Sequence, residues 1–420
     1  MHFQQDPSDP AFFQNPYPSY VEMRRSGKKS PGKKSPGKKS PGAGIYWEEY
    51  GHTCFAGYKQ VNDLLRDRRL GRQTDPRVES ERDLRCPYLT KFDQNSLLEM
   101  EPPHHTRLRR LVNRAFVSRQ VKTLAPRISN LAHGLIDKIM GQVINQENEN
   151  EFDLIQHYAE VIPVIVICEV LGIPTAMANQ LLAWSHKMVA IYEHGNNEEV
   201  EKIANEATMH FERFIKDQIE FKKIRSDEDL LTKLIRVKEE DDQISEDELV
   251  ATCILLLNAG HEATVHAIGN SVKVILENQV DIDHWTSSPE NVKSLSEECL
   301  RYDPPLHMFT RYVLEDFSYD NQDLKKGDVV GLLLAAANRD EMKFENPHTF
   351  DPKRGGTGHL SFGAGIHFCV GAPLARLEIE TALKVLFERL PRLKIAQKPR
   401  YADRYHFHGL DRLLVTAEGP

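Results

Sequence analysis

Apolar residues recur at three- and four-residue spacing along most of the chain, which is the spacing of one face of an α-helix. Shorter segments with strand character lie between these stretches and are interrupted by Gly, Pro and Asp. The helical pattern covers residues 106–122, 125–143, 154–171, 177–193, 199–223, 246–277, 290–302 and 372–390, and the strand-like segments are 44–47, 53–56, 310–313, 329–334 and 412–416. The pattern predicts a mainly α fold with small β-sheets.

The segment 246–277 has the best-marked beginning. Ser245 and Glu248 have the spacing of a capping box, and the segment is apolar nearly all round, which predicts a helix that runs through the core. It carries Gly260 and Glu262 into that core, although glycine in mid-helix costs about 1 kcal/mol relative to alanine. A buried carboxylate must be partnered or hydrated. We therefore interpret Gly260 as a point of close approach and Glu262 as a carboxyl group satisfied by a neighbour or kept for chemistry.

The length of 420 residues and the hydrophobic content of 40% allow a large core, and no shift in composition separates two domains. We predict a single domain over residues 1–420. The formal net charge is −8, but eight basic residues lie together between residues 24 and 39 without an acid. Outside them, 46 basic residues stand against 62 acidic ones, a net charge of −16. Such an acidic protein is not a general nucleic-acid binder.

Residues 28–42 repeat Lys-Lys-Ser-Pro-Gly three times. A repeat this short and polar cannot build a core, so it predicts an extended, low-complexity basic loop on the surface. Two interpretations remain open from the sequence: an expanded loop without a role, or a basic arm that contacts an anionic partner or nucleic acid.

Neither an export signal nor a membrane span is indicated. The first 18 residues are polar and rich in proline, and no run of about 18 apolar residues occurs. Six cysteines are scattered singly without a Cys-x-x-Cys pair, which disfavours a disulfide framework or a zinc knuckle. We expect a cytoplasmic protein that does not contact a membrane.

One cysteine stands in a distinctive setting. Cys369 lies among several glycines, directly before the helical pattern that begins at residue 372. Backbone N–H groups at a helix N-terminus stabilise a thiolate, and a single thiolate is a suitable axial ligand for haem iron. From the spacing alone, a buried structural cysteine in a glycine-rich turn is an equally good interpretation.

The residues around Cys369 resemble a known signature. Phe362, Gly365, Cys369 and Gly371 match the F-x-x-G-x-x-x-C-x-G motif of the cytochrome P450 family. Further segments resemble motifs of that family in the expected order: 102–109 on the haem-flanking helix, 259–264 on the oxygen-activating turn, Glu298 with Arg301, and 351–354 with its arginine. The resemblance covers the whole chain except the lysine repeat. It implies the triangular, mainly helical P450 fold of the soluble bacterial members and a bound haem b (iron protoporphyrin IX).

The resemblance also implies roles for individual residues. Cys369 would ligate the iron, within a cofactor-binding loop that includes Phe362, Gly365 and Gly371. The haem propionates would be bound by His105, Arg109, Arg311 and His367. The spacing of His105 and Arg109 supports this independently, since residues four apart share a helix face.

The chain departs from the family at the oxygen-activating turn. Aligning Gly260 and Glu262 places Ala263 where the family has a threonine, and Thr264 follows one residue later. One residue is a rotation of about 100° along a helix, so Thr264 cannot simply replace the missing hydroxyl. Protons could come from ordered water held by Glu262, from a hydroxyl group of the substrate, or be unnecessary if peroxide is used. We favour water and Glu262.

The function implied is a haem-thiolate monooxygenase that inserts one atom of dioxygen into a lipophilic small molecule by hydroxylation or epoxidation. The pocket segments 74–100, 184–192, 255–263 and 306–309 are mostly apolar, with Tyr192 and His307 as candidate polar anchors. Alternatives are a haem-thiolate peroxygenase, a non-oxygenating dehydratase or isomerase, and a haem sensor without turnover.

The electron source would be a separate protein, since 420 residues leave no segment for a reductase. Residues 105–122 contain no acid and carry a row of cations: Arg107, Arg109, Arg110, Arg114, Arg119 and Lys122. Those cations that do not contact haem predict a positive docking surface for an acidic ferredoxin, itself reduced by a ferredoxin reductase. We expect a monomer.

Overall fold

The computed structural model describes residues 2–27, 44–73, 81–115, 118–143, 151–195, 197–225, 227–236, 238–239, 242–355 and 358–417. The predicted basic loop at 28–42 lies outside these ranges. The α-helices are α1 (Pro10–Gln14), α2 (Tyr17–Gly27), α3 (Tyr58–Leu64), α4 (Glu81–Arg85), α5 (Pro87–Asn95), α6 (His104–Ala115), α7 (Ser118–Thr123), α8 (Ala125–Val143), α9 (Val161–Leu171), α10 (Ala178–Val189), α11 (Glu198–Lys223), α12 (Leu230–Arg236), α13 (Glu246–Glu277), α14 (Ile282–Thr286), α15 (Pro289–Tyr302), α16 (Leu334–Ala337) and α17 (Ala372–Arg389).

The strands are short and form several small sheets. They are β1 (His2–Phe3), β2 (Ile45–Trp47), β3 (His52–Phe55), β4 (Leu70–Gly71), β5 (Glu151–Asp153), β6 (Lys238–Glu239), β7 (Asp242–Gln243), β8 (Met308–Val313), β9 (Phe317–Tyr319), β10 (Gln322–Leu324), β11 (Val329–Leu333), β12 (Leu393–Ile395), β13 (Arg400–Tyr401), β14 (Leu410–Arg412) and β15 (Leu414–Ala417). The largest sheet has the order β1-β2-β3-β11-β8-β4, in which β1 and β2, and also β3 and β11, run parallel. A second sheet has the antiparallel order β12-β15-β5. The prediction of a mainly α fold with small sheets is confirmed.

Helix α13 is the predicted core helix. Its capping box is present, because the Glu248 N–H donates to the Ser245 hydroxyl at 3.1 Å and the Ser245 N–H donates to the Glu248 carboxylate at 2.9 Å. The first half of α13 packs into a cluster with α9, α10 and α11, and the second half packs into a cluster with α8, α15 and α17. The helix therefore joins the two largest hydrophobic clusters of the protein.

Three predicted elements differ from the structure. The segment 106–122 is divided between α6 and α7, and the segment 154–171 opens with a π-helical turn at Ile155–Ala159 before α9. The strand-like segment 412–416 is divided at Leu413, whose N–H donates to Asp153 at 3.0 Å and whose carbonyl accepts from Leu154 at 2.9 Å. Leu413 thus leaves the pairing of β14 with β13, and β15 joins β5 and β12 instead.

The predicted acid–arginine triad is formed in the interior. The Arg301 guanidinium donates two hydrogen bonds of 2.7 Å to the Glu298 carboxylate, and both side chains are fully buried. The Arg354 Nε lies 3.4 Å from the same carboxylate. Arg301 also donates to the carbonyls of Asn338 and Pro347 at 2.9 and 3.0 Å. The triad therefore fastens α15 to the segment that leads towards the cysteine loop.

No helix among the described residues combines the length and the apolar character needed to cross a lipid bilayer.

Candidate active site

The loop before α17 presents Cys369. All six cysteines lie in described ranges; five are buried, and Cys369 alone is accessible. Cys369 nevertheless sits deep in the protein, and burial raises the pKa of its thiol. A side chain that is both deep and accessible lines an internal space rather than the outer surface. The N–H groups of Gly371 and Ala372, together with the charges of Arg109 and Arg376, act against the effect of burial on the thiol pKa. These donors and charges offset part of the cost of burying a thiolate, which favours a cationic partner for the sulfur.

The signature residues around Cys369 shape this loop. The Cys369 N–H donates to the Phe362 carbonyl at 3.0 Å, and the Phe362 ring packs under the Arg376 guanidinium at 4.4 Å. Gly365 has φ +73°, and a Cβ there would lie 2.3 Å from the carbonyl oxygen of Leu65. Only glycine fits that position. Gly365 therefore lets the loop pack against Leu65 and Arg66, directly after α3, and its predicted contact with the cofactor stays a prediction.

A stripe along the middle of α13 is accessible, although the helix is otherwise buried. Between Glu248 and Val272 the residues that are not buried are Leu255, Ala259, Gly260 and Ala263. Leu255, Ala259 and Ala263 have i, i+4, i+8 spacing, which places them on one face, and Gly260 lies beside Ala259. Leu255 and Val370, the residue after Cys369, pack against one cluster formed by Leu97, Met100, Leu108 and Val112. The accessible stripe of α13 and the cysteine loop are thus brought to the same region of the protein.

The four predicted catalytic residues are divided between this stripe, which includes Gly260 and Ala263, and the buried side of α13, which carries Glu262 and Thr264. Ala263 is on the accessible face without a hydroxyl group, whereas Thr264 is buried. The rotation of one residue along the helix separates them, as predicted. Gly260 has a second neighbour besides the accessible space: a Cβ there would meet the side chain of Ile167 on α9 at 3.4 Å, an ordinary contact distance. Packing against α9 therefore leaves room for a methyl group and does not by itself require glycine, so the close approach predicted at Gly260 stays a prediction.

Glu262 is buried beside two histidines. Its Oε1 lies 3.1 Å from the Nε2 of His186 on α10 and 3.9 Å from the Nδ1 of His261. The shorter distance is that of an ion pair, but the angle is not that of a hydrogen bond. Burial raises the pKa of Glu262 to about 7, with Glu160 acting in the same direction and Arg404 in the opposite one. The carboxyl group can therefore both release and accept a proton near neutral pH.

Two of the predicted propionate ligands are neighbouring histidines whose rings are tilted by 55°. The rings of His105 and His367 are 4.6 Å apart, and the His367 Nε2 lies 3.2 Å from the Glu101 carboxylate. His105 is buried, and its Nε2 has no hydrogen-bond partner among the described residues. Burial, together with the charges of His367 and Arg109, lowers the pKa of His105 to about 4. The ring is therefore neutral at pH 7, with an unsatisfied nitrogen.

Arginine side chains surround these histidines. Burial lowers the pKa of Arg109 and also lowers the pKa of Arg311 to about 10, which reflects guanidinium groups drawn into the interior. Neither forms an ion pair with a carboxylate of the described residues; Arg311 donates to the carbonyl of Thr310 at 2.8 Å. Buried guanidinium groups without such a partner fit an anionic group that the protein encloses.

Arg72 is a further member of this group that the sequence analysis missed. It is mostly buried, pairs with Glu99, and its N–H donates to Glu101 at 2.7 Å. Its Nε has no hydrogen-bond partner among the described residues. Arg72 also lies close enough to Arg311 to lower that residue's pKa further. No local motif marks this arginine, because it follows β4 and reaches the site only through the pairing of β4 with β8.

The donor set fits haem b. An accessible thiol at the N-terminus of α17 supplies a soft iron ligand. The unpaired nitrogen of His105 and the guanidinium groups of Arg72, Arg109 and Arg311 supply donors for two carboxylates. An iron ligand and hydrogen-bond donors for two carboxylates are the groups that a protein must provide to bind this cofactor.

Other predicted positions have different surroundings. His307 is fully buried, with its Nδ1 2.8 Å from the Tyr20 hydroxyl, so it is a packed core residue rather than a polar anchor of an open pocket. Tyr192 stacks on His406 with ring centroids 5.3 Å apart. Arg107 pairs with Glu248 and is thereby removed from the predicted row of surface cations, whereas Arg110 and Arg114 are exposed.

Comparisons with known proteins identify the family. The cytochrome P450 family model matches residues 75–279 and 292–406. The polyketide biosynthesis cytochrome P450 PksS of Bacillus subtilis (strain 168) is 36% identical over 329 residues, which cover 77% of this chain and 78% of the relative. The vitamin D(3) 25-hydroxylase of Pseudonocardia autotrophica is 35% identical over 410 residues, which cover 96% of this chain and 94% of the relative.

A solved structure agrees at the level of the fold. The crystal structure of P450BioI in complex with hexadec-9Z-enoic acid ligated acyl carrier protein superposes with a TM-score of 0.84 at 30% identity, covering 97% of this chain and 99% of that chain. The resemblance and the fold predicted from the sequence are confirmed. The chain therefore belongs to the cytochrome P450 family, the haem b-dependent monooxygenases.

Proposed function

We propose that this P450 inserts one oxygen atom from dioxygen into a lipophilic small molecule, by hydroxylation or epoxidation, with electrons from a ferredoxin and its reductase. The observation that carries this proposal is the pairing of two accessible surfaces in an otherwise buried interior: the Cys369 side chain and the stripe of α13 that includes Ala259 and Ala263.

The chemistry of the site supports an assignment of individual residues to the cofactor. Cys369 would hold the iron, and His105, Arg109, Arg311, His367 and Arg72 would bind the propionates. Haem supplies the activation of dioxygen when bound. The surrounding chain holds the thiolate, neutralises the two carboxylates, and presents an apolar helix face to the substrate. A single domain over residues 1–420 and a cytoplasmic location stay predictions.

An apolar lining favours a lipophilic substrate. The accessible stripe of α13 offers the side chains of Leu255, Ala259 and Ala263, none of which forms a hydrogen bond through its side chain. Such surfaces gain free energy by removing apolar groups from water. A relative that is a vitamin D(3) hydroxylase, and a neighbour solved with a fatty acid on its carrier protein, support the same substrate class.

Glu262 is the group we propose for proton delivery. Because Ala263 brings no hydroxyl to the accessible face, a proton must come from another source. The Glu262 carboxyl is the neighbouring acid, and its raised pKa keeps it partly protonated at pH 7. One water molecule between the carboxyl and the accessible face would complete the transfer.

Replacing Glu262 with glutamine tests this assignment. We expect substrate turnover to fall by about 100-fold or more, because an amide cannot exchange the proton, while consumption of NADH continues uncoupled from product. Turnover of the unaltered enzyme should decline as the pH rises through about 7, where the carboxyl loses its proton. Parallel pH profiles of product and NADH would measure both effects.

Glu160→Gln is the matched control for that experiment. Glu160 raises the pKa of Glu262 through its charge. Its removal should move the midpoint of the pH profile downwards without abolishing turnover. Unchanged turnover and unchanged coupling in the Glu262→Gln variant would exclude Glu262 from proton delivery.

The exposed guanidinium groups of Arg110 and Arg114 on α6 support an acidic electron donor. They extend from the helix that also carries Arg109, so a donor bound there would lie near the cofactor. Complementary charge mainly accelerates the association of two proteins. At 0.1 M salt, the attraction between exposed charges more than about 10 Å apart is largely screened.

The comparison of electron sources tests the proposed reaction. With NADH, ferredoxin reductase and ferredoxin, we expect product that carries ¹⁸O from ¹⁸O₂, at a rate that falls as salt is added. Hydrogen peroxide alone should support much slower turnover. Faster turnover with peroxide would support the peroxygenase alternative. The absence of a hydroxyl group at Ala263 is the observation that favours this alternative. A product without ¹⁸O would indicate a dehydratase or isomerase.

A further inference from the structure

Two helices place a histidine–carboxylate cluster beside the accessible stripe of α13. His186 extends from α10, and His261 and Glu262 extend from α13. One ligand atom from each residue lies within 4.8 Å of the other two, with His186 Nε2 at 3.1 Å and His261 Nδ1 at 3.9 Å from Glu262 Oε1. His261 and Glu262 are 2% exposed, whereas the side chain of His186 is 45% exposed.

The buried members of this cluster are not satisfied by the protein. Neither ring nitrogen of His261 has a hydrogen-bond partner among the described residues, and neither does Oε1 of Glu262. The backbone of Glu160 lies near the His261 ring, but not with hydrogen-bond geometry. Buried polar atoms are seldom left without a partner. Two of these atoms, Nδ1 of His261 and Oε1 of Glu262, lie 3.9 Å apart beside Nε2 of His186, an arrangement that indicates a missing polar ligand.

Two imidazoles and one carboxylate are a donor set that zinc prefers. Ligand atoms at the usual zinc distances of about 2.0–2.1 Å in a tetrahedron are about 3.3 Å apart, so small side-chain rotations would suffice. Zinc binds the unprotonated ring nitrogen of a histidine, so Nε2 of His186 and Nδ1 of His261 are the two nitrogen ligands that face Glu262.

We propose that His186, His261 and Glu262 bind a zinc-class divalent cation that links α10 to α13. Because the cation would occupy Glu262, it would also inhibit turnover, a consequence that rests on the proposed role of Glu262 in proton delivery. Binding itself does not depend on that role. The exposed side chain of His186 gives the ion an entry from the accessible side.

The electrostatic surroundings allow this binding. The positive charge of Arg404 lowers the pKa of Glu262, and the negative charge of Glu160 raises it. The electrostatic effects of these two residues on a cation bound at Glu262 therefore partly cancel. His266 is the other titratable side chain near His261, and it is neutral at pH 7 because burial lowers its pKa to about 3. Zinc would add the positive charge that the buried carboxylate lacks.

A second cluster, formed by Asp303, His307 and His408, is a weaker candidate. Its three members are buried, which offers no entry. Two of them already have partners: Asp303 accepts from the Tyr17 hydroxyl at 2.8 Å, and His307 pairs with Tyr20. A substitution in this second cluster therefore serves as a control for zinc binding at the first.

The test measures zinc bound to the haem-loaded enzyme by equilibrium dialysis against zinc chloride, with metal analysis. We expect one zinc ion per chain, and binding at least about tenfold weaker in His186→Gln and in His261→Gln. His408→Gln and the exposed His210→Gln, on the neighbouring helix α11, should bind like the unaltered enzyme. Circular dichroism of each variant would verify that it is folded.

Several outcomes would overturn the proposal. They are the absence of tight zinc binding, full affinity in both cluster variants, and loss of zinc only in His408→Gln. Turnover with and without zinc separates the two proposals. If zinc binds and depends on His186 but turnover is unaffected, the site stands and the role of Glu262 in proton delivery fails.

Discussion

Replacing Cys369 with serine is expected to abolish oxygen insertion and to remove the strongly red-shifted Soret band that a thiolate ligand gives the carbon monoxide adduct of reduced haem. The thiolate supplies electron density that an alcohol cannot supply. In this chain the sulfur is supported by the N–H groups of Gly371 and Ala372 and by the charge of Arg109. A hydroxyl group would not ionise there. A difference spectrum and a turnover assay measure the two losses.

Cys299→Ala is the matched control. Cys299 is buried in the cluster that α15 and α17 share, with only 2% of its surface exposed. Its removal should cost some stability but leave the shifted band in place. A Cys369→Ser variant that kept the shifted band would show that another residue ligates the iron.

Local signals predicted much of this site. The capping box of α13 and the glycines around Cys369 depend on neighbours only a few residues apart, so the sequence displays them directly. The signature with Cys369 was sufficient to identify the family. The different directions of the Ala263 and Thr264 side chains could also be predicted from the sequence, because a helix turns by a fixed angle per residue.

Contacts between distant segments could not be read in the same way. The neighbour of Glu262 is His186, and that contact depends on how α10 crosses α13. Arg72 joins the propionate group through strand pairing, and His307 becomes a core residue because Tyr20 reaches it from α2. In each case the decisive partner is separated by many residues and carries no motif. Only the packing of whole elements determines the pairing.

For Glu298 and Arg301, too, the local spacing alone does not reveal what the contacts with distant segments determine. Their i, i+3 spacing is common on exposed helices, where an ion pair contributes little to stability. Here both side chains have 0% exposure, and the remaining donors of Arg301 bind backbone carbonyls of the segment 338–349. Burial converts an ordinary surface pair into a fold-determining one.

Arg301→Met should therefore destabilise the protein by about 3–5 kcal/mol, the usual cost of leaving a buried charge without its partner, out of a total that is typically about 5–15 kcal/mol. Arg354→Met is the matched control and should cost less, because Arg354 is 15% exposed and lies 3.4 Å from Glu298. Denaturant unfolding followed by circular dichroism measures both free energies. The double variant Glu298→Leu with Arg301→Met removes both charges and should recover part of the loss. Equal destabilisation by Arg301→Met and Arg354→Met, or no recovery in the double variant, would contradict a stabilising role that depends on charge pairing in the interior.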